Sequence, residues 1–379
     1  MTIPVAFYAP LKPPDHPVPS GDRRMAQLLM RALAEAGFAP ELASRLTSYD
    51  GAGNLERQRA LQAAAEAEAE RLIVRWRAAP AQARPRLFFT YHVYYKAPDW
   101  IGPRVAAALG IPYVVAEGTR APKRAGGPWA VGHRGTEAAL DAAEIVFVMA
   151  AVDRPALEVA RPSGQSLANL PPFIETGDCA ARDPRRDNDE PQLLTVAMMR
   201  AGDKLASYRL LAAALERIAP LPWRLTIVGD GPARIEVERL FAPFGERVMM
   251  TSAVDDPAVL ARIYAKADLF VWPAVNEAYG MVFLEAEATG CPVIAGAFGG
   301  VPGVVKDGET GILTPPGDVD AFAAAVAALL GAPERRSVMG RTAAAFVRQE
   351  RSLEGAAAIL RETLSPLVAA RFVATAWAP

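Results

Sequence analysis

The sequence predicts two α/β domains, each a parallel sheet with helices on both faces. Three observations lead there. Short apolar runs that read as buried strands alternate with helical stretches over most of the chain. The alternation breaks once, between Pro171 and Pro191, in a stretch dense in charge and poor in large apolar residues. The chain has 379 residues, 51% hydrophobic and 22% charged, enough for two cores and too apolar for a disordered or collagen-like chain.

Residues 5–9 open the first domain as an apolar strand, and a proline-rich loop over 11–19 leads to Ser20-Gly21-Asp22-Arg23. Apolar spacing predicts a helix over 25–36, stopped by Gly37, and alanine, glutamate and arginine predict another over 55–78. Strands are expected at 87–90, 112–115 and 145–149. Helices are expected at 101–109 and in a segment closing at 137–143. Beyond the break, strands are expected at 193–198, 224–228, 248–251, 269–272 and 292–295. The intervening helices lie at 207–218, 232–240, 257–265, 280–289 and 318–330. Helices near 334–350 and 353–368 finish the chain. The expected organisation is a first domain over 1–170, a hinge over 171–191, a second domain over 192–365, and a tail over 366–379; the last helices either cap the second domain or cross back to the first.

Lysine plus arginine is 41 and aspartate plus glutamate 42, a balance that gives no support to nucleic acid as a partner. Residues 1–170 carry 20 basic and 16 acidic groups; residues 171–379 carry 21 and 26. The cysteines, Cys179 and Cys291, are far apart and make no metal-spaced cluster. A reducing, cytoplasmic setting fits. The run 145–152 is too short to span a bilayer, so membrane contact is expected to be peripheral at most. Three histidines, His16, His92 and His133, cannot build a histidine-rich metal centre, and no carboxylate pair is read as a metal site.

The densest chemical signal lies over 273–293. A strand ends at Pro273, a loop carries Glu277, and a helix starts near Gly280 with Glu285 inside it. Glycine lets a ligand approach the backbone, and the unpaired N–H groups of residues 279–282 suit an anion such as a diphosphate. Two carboxylates flanking that anion site can accept hydroxyl hydrogens from sugar rings on either side. An isolated Glu-x7-Glu pair is commonly two surface glutamates; the ordered run of strand, Pro, Glu, Gly, helix, Glu, Gly, Pro, strand is harder to reach by accident.

This stretch resembles the retaining GT-B glycosyltransferases with a Glu-x7-Glu motif (family 4-like, "glycosyl transferases group 1"). Three further segments match in order. Arg200 to Lys204, one residue shorter than the commonest spacing, resembles the pair that holds the donor diphosphate. Val228-Gly229-Asp-Gly-Pro232 resembles a glycine turn after the next strand. Residues 298–302 and 307–313 resemble the closing loops. The resemblance covers about residues 193–330. It implies a GT-B architecture of two Rossmann-like domains facing a cleft, and a nucleotide-diphosphate sugar as donor. No metal or other cofactor is implied. In the family, the residue matching Glu285 binds the donor ribose and that matching Glu277 lies against the transferred sugar. Gly229, Tyr279, Gly280, Met281 and Val282 are implied donor contacts, with Gly21 as a close-approach point after the first strand.

No Gly-x-Gly-x-x-Gly follows the first strand, against a nicotinamide enzyme. Strand C-terminal ends face the crevice of a doubly wound sheet, which points His92, Tyr94 and Lys96 there. A histidine capping a strand loop explains His92 equally well. The family places a histidine near Glu117, so this glutamate is a departure, and both His92 and Glu117 are candidates for the chemistry. His133 reads as structural. Lys123 and Arg124, beside Gly126-Gly127, form a loop over the cleft. The resulting expectation is a retaining, metal-independent transferase with a glycan or lipid-linked acceptor, serving bacterial surface glycans. The Glu117 departure motivates a second reading, a sugar-nucleotide-binding scaffold without turnover. A phosphorylase is a third, lacking an obvious lysine motif for a pyridoxal cofactor.

Overall fold

The structure is a computed structural model that describes residues 2–176 and 190–376. Most of the expected hinge, and Cys179 with it, lies outside the described residues. The chain divides into two compact units. Unit 1 comprises residues 1–171 and 353–379, and unit 2 residues 172–352.

Unit 1 runs β1 (Ile3–Tyr8), α1 (Gly21–Glu35), β2 (Phe38–Leu42), α2 (Leu55–Ala78), β3 (Leu87–Val93), α3 (Gly102–Leu109), β4 (Tyr113–Gly118), α4 (Ala130–Ala142), β5 (Ile145–Val148), α5 (Arg154–Val159) and β6 (Ser166–Asn169). Its six strands are parallel in the order β2-β1-β3-β4-β5-β6. The central strands β4 and β5 are buried at every residue and β3 at every residue but His92, and Phe7 of β1 stacks on Phe89 of β3 at 5.8 Å.

Unit 2 runs β7 (Gln192–Val196), α6 (Asp203–Arg217), β8 (Arg224–Val228), α7 (Arg234–Phe241), β9 (Val248–Thr251), α8 (Pro257–Lys266), β10 (Leu269–Trp272), α9 (Met281–Ala288), β11 (Val293–Gly296), β12 (Gly311–Thr314), α10 (Val319–Leu330) and α11 (Pro333–Glu350). Its strands are also parallel, in the order β12-β11-β10-β7-β8-β9. Numbered within its own unit, this is the dinucleotide-fold order 3-2-1-4-5-6. Unit 1, at 2-1-3-4-5-6, follows the flavodoxin-like order. Both units are thus doubly wound parallel sheets, as the Rossmann-like expectation has it, and they differ only in strand order.

Three strands beyond those expected, β2, β6 and β12, all lie at sheet edges. An edge strand needs no continuous apolar run. β2 carries Pro40 and Glu41, and β6 has no fully buried residue.

The return to unit 1 starts earlier than the expected boundary at 366. Helix α12 (Leu353–Ala376) packs against α1, and Leu353, Ala356, Ala357, Leu360, Leu364 and Val368 are buried at helical spacing. Each buried leucine contributes roughly 2 kcal/mol. Arg361 donates to the carbonyls of Glu35 (2.9 Å) and Ala36 (3.3 Å), satisfying acceptors at the C-terminal end of α1, whose last turn has no basic residue of its own.

Candidate functional site

In each unit the sheet order reverses beside its first strand, and the C-terminal ends of the strands flanking that point frame the crevice where doubly wound sheets take ligands. In unit 2 those strands are β7 and β10. The loop after β7 carries Arg200 and opens α6 at Gly202, whose φ is +83°. The loop after β10 carries Glu277 and opens α9 at Gly280, with φ 71° and ψ 83°. The structure joins the two loops directly: the Lys204 ammonium forms an ion pair with Glu277 Oε2. Lys204 also lies 5.7 Å from the centre of the Trp272 ring. The Arg200 side chain is exposed and makes no hydrogen bond or ion pair with the described residues.

The Glu277 loop is held on every side. Ala274 and Asn276 take φ of 60° and 51°, a conformation costing a non-glycine residue about 1 kcal/mol or more. The Asn276 amide donates to Asp203 at 3.0 Å, and the Ser207 hydroxyl accepts from Val275 N–H at 2.9 Å. On the other side the 296–300 turn presses against it. A Cβ on Gly299 or Gly300 would run into the carbonyl oxygens of Glu277 and Ala278, and Gly300 N–H donates to Ala278 O at 2.7 Å. Helix α9 then begins with the N–H groups of Met281 and Val282 in its unpaired first turn. Within it, Glu285 Oε2 accepts from the Tyr264 hydroxyl at 2.9 Å. Burial first, then the charge of Glu285, holds that phenol well above the usual tyrosine range, so it stays a donor. Tyr279 is buried beside the 296–300 turn. Gly229, an expected donor contact, has a packing reason to be glycine: a Cβ there would meet the Ala197 carbonyl of the β7 loop.

In unit 1 the corresponding strands are β1 and β3. The β1 loop ends at Ser20, whose hydroxyl caps α1 by accepting from Arg23 N–H at 3.2 Å. A Cβ on Gly21 would meet nothing within 4 Å, so the space over the helix start is open. Asp22, in the first turn, reaches His92 at the end of β3: His92 Nδ1 lies 3.1 Å from Asp22 Oδ1, and its Nε2 lies 3.8 Å from Glu117 Oε1. The β3–β4 ladder pairs Tyr91 with Ala116 and Val93 with Gly118; the rung between, His92 and Glu117, is skipped. Both residues have positive φ, 63° and 60°. With Ala274 and Asn276 they are the only such non-glycine residues among those described, so local strain marks both crevices.

Burial pushes the His92 imidazolium toward losing its proton. The charge of Glu117, the hydrogen bond and charge of Asp22, and the charge of Asp153 outweigh it and hold the pKa at about 9. Burial likewise raises the Asp22 carboxyl, but the hydrogen bond and charge of His92 win and bring it below its usual value. Asp153 is raised, chiefly by burial. At neutral pH this is a clamped imidazolium within a carboxylate shell.

Sequence reasoning named Lys204, Glu277, His92 and Glu117 separately; the structure makes one ion pair of the first two and one cluster of the last two. It missed Asp22 as the His92 partner, Asp153, and Tyr264. None has a local spacing signal, since each partner comes from a distant segment. His133 is buried within α4 near Glu137 Oε1 at 3.6 Å, and His16 bonds Val18 in its own turn. Neither joins a site. Cys291 is buried, its thiol 3.9 Å from the Pro292 carbonyl oxygen.

Residues 190–332, all within unit 2, match the family model described as glycosyl transferases group 1. The sulfoquinovosyl transferase of Arabidopsis thaliana is 33% identical over 163 residues, 42% of this chain and 31% of the relative. A GDP-mannose-dependent alpha-(1-6)-phosphatidylinositol monomannoside mannosyltransferase of Mycolicibacterium smegmatis is 32% identical over 214 residues, 52% of this chain and 56% of the relative. The chain thus spans less than two thirds of the length of either relative. Among solved structures, sucrose-phosphate synthase from Thermosynechococcus elongatus superposes with a TM-score of 0.73 over 97% of this chain and 100% of that one, at 22% identity. The fold is the GT-B architecture. No helix of the described residues is long and apolar enough to cross a membrane.

Proposed function

We propose that the protein is a retaining glycosyltransferase that moves a sugar from a nucleotide-diphosphate sugar to an acceptor hydroxyl without a metal ion, in the synthesis of a surface glycan or glycolipid. The observation that carries it is the Lys204–Glu277 ion pair at the crevice of a group 1 domain. In this reading the donor diphosphate lies at the start of α9, against the N–H groups of Met281 and Val282, with Arg200 and Lys204 as cations. Charge builds on the leaving diphosphate as the glycosidic bond breaks. The two cations and a helix N-terminus stabilise that charge more than they stabilise the ground state. Glu277, tethered by Lys204, accepts hydroxyl hydrogens of the transferred sugar. Glu285, fixed by Tyr264, accepts those of the ribose. Retention is supported by the Glu-x7-Glu spacing kept across loop and helix.

Unit 1 is assigned the acceptor. Its carboxylate-held His92 answers the Glu117 departure: an imidazole lies 3.8 Å from Glu117, supplied by β3 instead of β4. That favours turnover over a scaffold role. The GDP-mannose dependence of one relative supports a nucleoside diphosphate donor, and its phosphatidylinositol mannoside acceptor supports a lipid-linked substrate met by peripheral membrane contact.

The test is a panel of sugar nucleotides followed by melting shift and by transfer in the presence of chelator. A shift with at least one donor, chelator-resistant transfer, and a product anomeric signal of the donor's configuration are expected. Absence of any shift across the panel removes the proposal; inversion or chelator sensitivity removes its finer parts.

A further inference from the structure

Beyond His92, β3 runs into a chain of aromatic rings. His92 and Tyr94 have ring centroids 4.9 Å apart, Tyr94 and Tyr95 5.6 Å, and Tyr95 and Trp129 5.7 Å, the last two pairs edge to face. Two cations share the far end. Lys96 Nζ lies 5.4 Å from the Trp129 centroid and 5.8 Å from that of Tyr95; Arg124 Cζ lies 5.0 and 5.3 Å from the same rings. Neither side chain has a carboxylate partner within ion-pair distance among the described residues. Arginines and lysines elsewhere in the unit commonly do, as in Arg45 with Asp15, Arg75 with Glu41 and Arg104 with Glu70.

The platform is built rather than incidental. Buried Asp50 and Gln58 tie three loops together under it. Gln58 Nε2 donates to Asp50 Oδ2 (2.8 Å) and to Pro128 O (2.7 Å), and Gln58 Oε1 accepts from Gly132 N–H (3.0 Å). Asp50 N–H donates to the Lys96 carbonyl at 2.8 Å, and the Trp129 indole N–H donates to Asp50 O at 3.1 Å. A Cβ on Gly53 would press on Pro128 and Trp129. The indole N–H is therefore satisfied within the protein. Two like charges left without a counter-ion over half-buried rings are stabilised by an anion. Aromatic faces meanwhile suit the C–H faces of sugar rings.

We infer that the Tyr94–Tyr95–Trp129 ladder, capped by Lys96 and Arg124, binds a carbohydrate bearing a negatively charged group, a phosphate or carboxylate. The reacting hydroxyl lies toward His92 and the anionic group toward the two cations. The ligand's role as acceptor rests on the glycosyl-transfer reading; its binding does not. The same chemistry comes from a soluble sugar phosphate or from the phosphorylated headgroup of a glycolipid.

The experiment measures binding to the full chain without donor. Calorimetry compares glucose 6-phosphate, glucuronate and glucose, and flotation compares phosphatidylcholine vesicles with and without phosphatidylinositol. The anionic sugars are expected to bind about 10-fold or more tighter than glucose, a preference that shrinks with added salt. In the double variant Lys96→Gln, Arg124→Gln, two half-exposed or exposed positions, the preference falls below about 3-fold while glucose binding remains. Equal binding of glucose and glucose 6-phosphate, or a preference that survives in the double variant, overturns the inference. Flotation that needs phosphatidylinositol and both cations makes a headgroup the source; anion preference without flotation makes it a soluble sugar. GDP binding, followed in the same preparation, separates the two readings: lost anion preference with GDP still bound breaks this inference alone, and the converse breaks only the donor assignment.

Discussion

The two crevices occupy the same topological position in differently wound sheets, yet they are held in different ways. In unit 2 the loop bearing Glu277 is fixed by glycines that admit a neighbouring backbone and by backbone hydrogen bonds; its one ion pair faces the crevice. In unit 1 the strained pair His92 and Glu117 is fixed by charge, an imidazolium between Asp22 and Glu117 with Asp153 nearby. A site held by backbone depends little on pH and tolerates no added Cβ. A site held by charge tolerates steric change and responds to pH. That contrast can be broken by experiment.

The largest expected effect is in unit 2. Lys204→Ala should lower transfer by about 10²- to 10³-fold, as loss of a preorganised charge on a leaving group does, with little change in anionic-sugar binding by unit 1. Kinetics and calorimetry on one preparation check both halves. Comparable loss in both assays would erase the division of labour.

Next comes pH. The folded pKa of His92 is about 9 against an ordinary 6.5, so the proton adds stability that is whole below pH 6.5 and is lost as pH rises through about 9. The upper bound is about 3 kcal/mol. Urea unfolding of the native chain should show this loss and His92→Gln should flatten it; a native profile without the slope would show that the cluster is not held by charge.

Steric change should discriminate in the opposite sense. Gly300→Ala, whose Cβ meets the Ala278 carbonyl, should cost about 1–3 kcal/mol, whereas Gly21→Ala, with open space over it, should stay within about 0.5 kcal/mol. Equal melting temperatures for these two variants would remove the contrast. The smallest effect is expected outside both crevices. Arg361→Ala uncaps α1 and should cost roughly 1 kcal/mol, read as a small fall in denaturation midpoint without loss of nucleotide binding.

The same contrast explains what was readable in the sequence. Gly299 and Gly300 are demanded by the backbone of the Glu277 loop they press against, and Gly280 by its positive φ, so these glycines and Glu285 stand at offsets that carried the family resemblance. Asp22, His92, Glu117 and Asp153 come from four segments, and a charge cluster gathered by the fold leaves no spacing. The skipped rung at His92 and Glu117, a pairing between two separate strands, is invisible for the same reason. Strands buried on both faces were legible; the three that were lost, β2, β6 and β12, are edge strands, where one partner suffices, although the fourth edge strand, β9, kept enough apolar residues to be read.

Because α12 belongs to unit 1 while everything from Pro172 to Ser352 belongs to unit 2, the second unit is an insertion within the first. This sets an order during synthesis on the ribosome. Unit 2 has its whole chain once Ser352 has emerged. Unit 1, begun first, must wait with α1 lacking its helical neighbour and the carbonyls of Glu35 and Ala36 lacking Arg361. The half of the protein that is translated first is therefore the last to be finished. A premature stop shortly before Leu353 would cripple the N-terminal unit and spare the C-terminal one.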